Sequence, residues 1–167
     1  MKKLILISVM ALMTITSFGR EHIEDAVVVS DTIYYSNNMM NVSKDNASYY
    51  RLLMTTGTGA SKRDVFKDFY ANGSLKAEGG YSFVDLSNDK NSVFDGEVTT
   101  YYANGSEKSH GTYKNGKRNG YFTYILNDGS IAVVNYVNGE SKFNYFTITH
   151  KDGSMERRPI KEIKSLL

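Results

Sequence analysis

The chain has 167 residues, a length that suits one domain. It carries 20 Lys and Arg against 18 Asp and Glu, a formal charge of +2, and Lys2 and Lys3 belong to a leader-like N-terminus. A chain near neutrality without them offers no electrostatic footprint for nucleic acid, and zero cysteines exclude disulfides, thiol catalysis and a lipid-bearing cysteine.

Lys2 and Lys3 precede an uncharged apolar stretch at residues 4–15, and Ser17-Phe18-Gly19 supplies small residues before the polar Arg20-Glu21. This order predicts a secretory signal peptide over residues 1–19, cleaved near Gly19. A transmembrane anchor is the competing reading, but the apolar stretch is short for a bilayer core of roughly 30 Å. The expected location is exported, periplasmic or secreted. Stability must then come from packing, and 13 Tyr and 8 Phe supply the bulk.

Residues 20–62 read as a degenerate β unit and linker. Strands are expected at residues 26–35 (AVVVSDTIYY) and 49–54 (YYRLLM), with a short helical turn between them capped by Ser43. Residues 55–61 (TTGTGAS) read as a flexible linker or loop.

Residues 63–155 read as hairpin repeats. Turn motifs recur at Ala71-Asn72-Gly73-Ser74, Ala103-Asn104-Gly105-Ser106, Asn127-Asp128-Gly129-Ser130 and Lys151-Asp152-Gly153-Ser154, with glycines 32, 24 and 24 residues apart. A second family, Asn115-Gly116 and Asn138-Gly139, alternates with them. Asn-Gly and Asp-Gly accept positive φ, so both families are expected to form two-residue type I′ turns between antiparallel strands. The period aligns Phe66, Val98, Phe122 and Phe146 in one column, Asp68, Thr100, Tyr124 and Ile148 in the next, and Tyr70, Tyr102, Leu126 and His150 in a third. These positions share one strand face, predicted to be the core face. The opposite face carries Val65, Lys67, Phe69; Glu97, Thr99, Tyr101; Tyr121, Thr123, Ile125; and Tyr145, Thr147, Thr149. Gly79 and Gly111 sit at matching places inside the return strands, where a bulge, bend or close backbone approach is expected.

The longer first spacing comes from residues 82–95, SFVDLSNDKNSVFD. Asp85, Asp89 and Asp95 lack the spacing of a calcium loop, so a solvated loop is expected there. At residues 156–167, Pro159 precedes Ile160, Ile163 and Leu166, which predicts a short amphipathic helix capping the last strand.

Chemistry is sparse. His22, His110 and His150 show no spacing for a metal, serines mostly follow turn glycines, and the recurring glycines lie in hairpin turns rather than a phosphate loop. Asn46-Ala47-Ser48, Asn72-Gly73-Ser74 and Asn104-Gly105-Ser106 match a glycosylation pattern but read as turn chemistry. Two basic clusters stand out, Lys114, Lys117 and Arg118, and Arg157, Arg158, Lys161 and Lys164; they read as charge keeping turns and edges soluble, or as contacts for an anionic surface.

The run Gly120-Tyr121-Phe122-Thr123-Tyr124-Ile125-Leu126-Asn127-Asp128-Gly129 resembles the bacterial variant of the MORN (membrane occupation and recognition nexus) repeat, with Phe122 in the place of its tryptophan. Residues 96–105 match similarly, residues 68–73 match the later half, and residues 144–153 look like a worn terminal repeat. The segment from Asp31 to Arg51 is similar to one that precedes such repeats in exported, TonB-associated proteins. The family includes YwqK-type antitoxin-like members, and MORN repeats elsewhere are associated with acidic phospholipids.

The expectation is an all-β, elongated, curved antiparallel meander of β-hairpin repeats with a short C-terminal helix. The expected function is that of an exported, non-enzymatic repeat protein, a protein-binding or scaffold module in the cell envelope, with no cofactor, metal or catalytic residue. Weak contact with an anionic membrane surface and an antitoxin or immunity role are the alternatives. The candidate partner-binding face is Phe69, Tyr101, Tyr121, Thr123, Ile125 and Tyr145, meeting an envelope protein.

Overall fold

The computed structural model describes residues 26–166. The leader read at residues 1–19 and His22 lie outside them. The described chain is one antiparallel sheet of twelve strands and a short helix. The strands are β1 (Val27–Val28), β2 (Ile33–Tyr35), β3 (Tyr49–Thr56), β4 (Arg63–Tyr70), β5 (Leu75–Phe83), β6 (Val93–Tyr101), β7 (Glu107–Lys114), β8 (Lys117–Ile125), β9 (Ile131–Val137), β10 (Glu140–Ser141), β11 (Tyr145–Thr149) and β12 (Met155–Pro159). Short turns make sequence neighbours into sheet neighbours. From β3 to β9 each strand pairs with the next, then β9 pairs with β11 and β11 with β12; β1 and β2 both flank β3, and β10 pairs with β9. Among the described residues β1 and β12 do not meet, so the meander stays open.

The two turn families differ in kind. Asn115 and Gly116 have φ of 51° and 75°, and Asn138 and Gly139 have 56° and 92°, so these are type I′ turns as expected. The four Gly-Ser turns are not. Their loops hold three residues, and only the glycine takes a positive φ, between 81° and 85°. In each, the glycine N–H donates to the strand-end carbonyl three residues back, as Gly73 does to Tyr70 at 2.9 Å, and the strand-end N–H donates to the serine carbonyl. The reason is side-chain chemistry. Asn72 accepts from the Ser74 N–H at 3.0 Å and from its hydroxyl at 2.7 Å, and Asn104, Asp128 and Asp152 do the same for Ser106, Ser130 and Ser154. An Asx residue held this way stays at negative φ and leaves the left-handed position to glycine.

The predicted columns form the core face. Phe66, Val98, Phe122 and Phe146 are buried, as are Asp68, Tyr124 and Ile148. Large residues alternate across the sheet with small ones: Phe66 lies opposite Gly79, Gly79 opposite Val98, and Val98 opposite Gly111. A Cβ on Gly111 would stand 2.5 Å from the Phe122 ring, and one on Gly79 would stand 2.8 Å from the Val98 Cα. Both glycines adjoin a register shift, so close approach and bulge coincide. Tyrosines tie one repeat to the next. The Tyr70 hydroxyl donates to the Tyr101 carbonyl and the Tyr102 hydroxyl to the Ile125 carbonyl, both at 2.8 Å.

The core face is covered differently at its two ends. At the C-terminal end, a single turn of 3-10 helix (Ile160–Glu162) leads into α1 (Ile163–Leu166). Ile163 is buried against the cluster of Phe122, Tyr124, Val134, Phe146 and Ile148. The C-terminal helix is short, as expected; Met155–Pro159 ahead of it pairs fully with β11 as a strand, and the first turn after Pro159 is 3-10 rather than α. At the N-terminal end, residues 82–95 fold back over Tyr35 and Tyr49. This loop bonds to a second one, with the Asp89 N–H donating to the Met39 carbonyl at 2.8 Å and the Asn41 N–H to the Ser87 carbonyl at 2.9 Å. Phe94 and Tyr113 bridge the clusters, in edge contact with each other at 5.5 Å and, for Tyr113, with Phe122 at 5.3 Å.

Three further local expectations change. The single strand read over residues 26–35 divides into β1 and β2, each paired with β3. Ser43 does precede a 3-10 turn, Lys44–Asn46, but its side chain does not cap it; its hydroxyl accepts instead from the Asn46 side chain at 3.0 Å. Thr55 and Thr56, read as linker, extend β3, which pairs with β4 over its full length.

Candidate binding face and the buried network behind it

The face opposite the core is set by strand alternation. Its central row runs through Lys67, Glu78, Thr99, His110, Thr123, Val133, Thr147 and Arg157 in successive strands. In the N-terminal half, β3 to β7, this face is largely satisfied from within. Lys67 lies 3.7 Å from Glu78, the Tyr101 hydroxyl donates to Glu78 at 2.7 Å, and His110 meets Glu107 at 2.5 Å. Phe69 stacks on Tyr50 at 5.1 Å, and Tyr50 leans on Tyr34. Met54 and Val65 are buried on this side.

The C-terminal half, β8 to β12, is different. Tyr121 is 69% exposed. Tyr145 stacks on Phe143 at 5.3 Å with planes 20° apart, and the Arg157 guanidinium lies 4.7 Å above its ring. The Lys142 ammonium is 5.6 Å from the Phe143 ring. Between these groups runs a shallow groove of about 330 Å³, lined by Tyr121, Val133, Asn135, Phe143, Tyr145, Thr147 and Met155 among others. A second cleft, of about 400 Å³, adjoins it on β8 and β9 and is lined by Lys114, Asn115, Lys117, Asn119, Val137 and Asn138.

The six residues expected at a binding face therefore fall into two groups. Tyr121, Thr123, Ile125 and Tyr145 lie together around Val133, while Phe69 and Tyr101 lie in the N-terminal half, half-buried and engaged. Phe143, Lys142, Met155 and Arg157 join the first group and were absent from the expected face. The 24-residue period does place Met155 in the column of Ile131 and Arg157 in that of Val133, so continuing it past Gly153 finds both. Phe143 follows the short β10 and lies off the period.

Behind the N-terminal half lies a buried polar network. Arg51 is fully buried and clamps Asp68 with two hydrogen bonds, from Nε at 2.6 Å and Nη2 at 2.8 Å. Its other edge meets Asp89, through Nη1 and through Nη2 at 3.1 Å. The Tyr49 hydroxyl donates to Asp89 at 2.7 Å, and Phe66 lies under the guanidinium at 4.6 Å. Asp89 was expected in a solvated loop; its side chain is only 8% exposed because it answers the charge of Arg51. Burial opposes the guanidinium charge, but the bonds and charges of Asp68 and Asp89 outweigh it and hold the Arg51 pKa above the ordinary arginine value. Burial pushes the Tyr35 phenol up to about 12 and, with the Asp89 bond, raises that of Tyr49. The two phenols and the guanidinium are thereby held in their protonated forms. Among the described residues no buried side-chain polar atom lacks a partner, and no group of three or more His, Asp or Glu is placed to hold a metal ion.

The basic clusters divide. Arg118 is half-buried over the Phe122, Tyr124 and Tyr136 rings and donates to the Tyr136 hydroxyl at 3.3 Å. Arg158 pairs with Glu162 at 2.9 Å. Lys114 and Lys117 face the cleft, and Lys161 and Lys164 are exposed. His150 lies between the Ser130 hydroxyl at 3.3 Å and Glu156 at 3.4 Å. Among the described residues no helix is long and apolar enough to cross a membrane. No protein-family model, curated protein or solved structure matches the chain.

Proposed function

We propose that this chain is a non-enzymatic binding module that meets a protein partner through the C-terminal half of its open face, as an exported scaffold in the cell envelope. The observation that carries this reading is Tyr121, a large aromatic left 69% exposed beside an apolar groove. The ionisable groups behind the sheet are committed to packing, which favours binding over chemistry. The leader features of residues 1–19 support export, and the resemblance to variant MORN repeats supports a scaffold role.

The test is site-specific photo-crosslinking in native envelopes. A photoreactive residue at position 121 is expected to yield a discrete adduct, and one at the exposed Phe83 is not. Equal labelling from both positions, or none from 121, sinks the reading.

The cleft bearing Lys114 and Lys117 favours a second reading, peripheral binding to acidic phospholipid. Sedimentation with anionic liposomes decides it: binding must fall with salt and rise with anionic lipid content.

A further inference from the structure

We infer that the partner presents an acidic, extended peptide segment with an aromatic or aliphatic anchor, the anchor seating between Tyr121 and the Phe143–Tyr145 stack. This rests on reading that face as the binding site.

Charge is the first argument. In the N-terminal half, the open-face cation Lys67 is answered by Glu78, and His110 by Glu107. In the C-terminal half, Arg157 and Lys142 lie over aromatic rings and form no ion pair among the described residues. The acids of that half are used elsewhere. Asp128 and Asp152 accept turn hydrogen bonds, Glu156 faces His150, and Glu162 holds Arg158. Only Glu140, exposed on β10, is left over among the described acids of β8 to α1. A cation resting on a ring keeps its outer side for an anion.

Shape is the second argument. The groove joins the Lys114–Lys117 cleft through Asn119 and Tyr121 on β8 and Asn135 and Val137 on β9. Cations therefore stand at both ends of an apolar middle. Lys117 to Thr123, the β8 residue in line with Arg157, spans about 20 Å along the strand, and β8 to β12 is three strand spacings, about 14 Å; the diagonal is roughly 24 Å, the reach of about seven extended residues. Val133 and Met155 in the middle suit an apolar side chain better than a hydroxylated sugar.

Fluorescence anisotropy with the full chain tests this. The probe is a dye-labelled peptide, Asp-Glu-Phe-Leu-Glu-Asp, compared with its Asn/Gln counterpart and with a Glu-only peptide. Both controls are expected to bind at least about tenfold more weakly, and added salt to weaken the acidic probe. Tyr121→Ala is expected to cost about tenfold or more, and Lys117→Glu with Arg157→Glu a further loss, all at exposed sites that leave the fold intact. Equal affinity for the acidic and amide probes overturns the inference, as does binding unchanged by charge reversal. A Tyr121-dependent dimer in sedimentation velocity overturns it in favour of a second copy of the chain. Tighter, Tyr121-independent binding to phosphatidylserine vesicles overturns it in favour of lipid. If the peptides fail while position 121 still crosslinks, this inference falls and the binding face stands; if both fail, both fall.

Discussion

One column of the repeat holds Asp68 on β4 and, two and three repeats later, Tyr124 on β8 and Ile148 on β11, all buried. A carboxylate in a core column needs a counter-ion, and Arg51 supplies it from β3. The guanidinium then needs its second edge filled, and Asp89 does this from residues 82–95, the same insertion that lengthens the first repeat spacing to 32 residues. The charged core column and the broken period are thus one adaptation. The C-terminal half keeps the 24-residue period, fills the column with apolar residues, and is closed by Ile163 of α1. The outer faces diverge too: one is paired internally, the other leaves aromatic rings and cations outward.

The largest test of this contrast is Asp68→Ala. It leaves a buried guanidinium half-answered and is expected to cost about 3–5 kcal/mol in urea unfolding. Replacing the whole triad, Arg51→Met with Asp68→Leu and Asp89→Asn, is expected to recover much of that loss, since apolar packing already serves in the C-terminal column and the amide at position 89 can still accept from the Tyr49 hydroxyl. A cost below about 1 kcal/mol for Asp68→Ala would mean that the network is not what holds this half.

Ile163→Ala comes next, at about 2–4 kcal/mol. Hydrogen exchange is expected to quicken in β8, β9 and β11 and to change little in β3 to β5. Uniform acceleration would show that the two halves open as one unit.

Gly111→Ala is expected to cost about 1–3 kcal/mol, because its new methyl meets the Phe122 ring. Adding Phe122→Leu should return part of it. Gly79→Ala meets the Val98 backbone instead, so no side-chain truncation should rescue it.

The smallest effect concerns pH. The N–H and hydroxyl of the following serine hold Asp128 and Asp152 below the usual carboxylate range, Asp128 chiefly through the Ser130 N–H and Asp152 chiefly through the Ser154 hydroxyl. A carboxylate with a depressed folded pKa stabilises fully above its unfolded value, about 3.9, and loses that contribution as pH falls through the folded value. The first two repeats use Asn72 and Asn104 at this place and do not titrate. Asp128→Asn with Asp152→Asn should therefore keep the turns while reducing the drop in Tm between neutral pH and about pH 3. An unchanged acid limb would place the sensitivity elsewhere.

Much of this molecule is legible in the chain because its contacts are local. Strand columns follow from a period, and a period repeats its own evidence. Tyr121, Thr123, Ile125 and Tyr145 were legible as neighbours for that reason. Phe69 and Tyr101 share their face but not their surroundings, since Tyr50 and Glu78 engage them through pairings outside the aligned strands. Turn type depended on whether a serine after the glycine bonds back to the Asx side chain; Ser74 does so to Asn72, while Lys117 follows Gly116, so Asn72 and Asn115 take different φ although each precedes a glycine.

The sequence by itself determined the antiparallel meander, the two faces and the identity of the core columns, because alternation and turn spacing act between residues a few positions apart. Only the tertiary structure decided that Asp89 reaches Arg51 across 38 residues, that Phe143 joins Tyr145 and Tyr121 at one groove, and that Arg157 stands over a ring. Those contacts depend on how an insertion folds back and where the last strand lies, and neither carries a periodic signal.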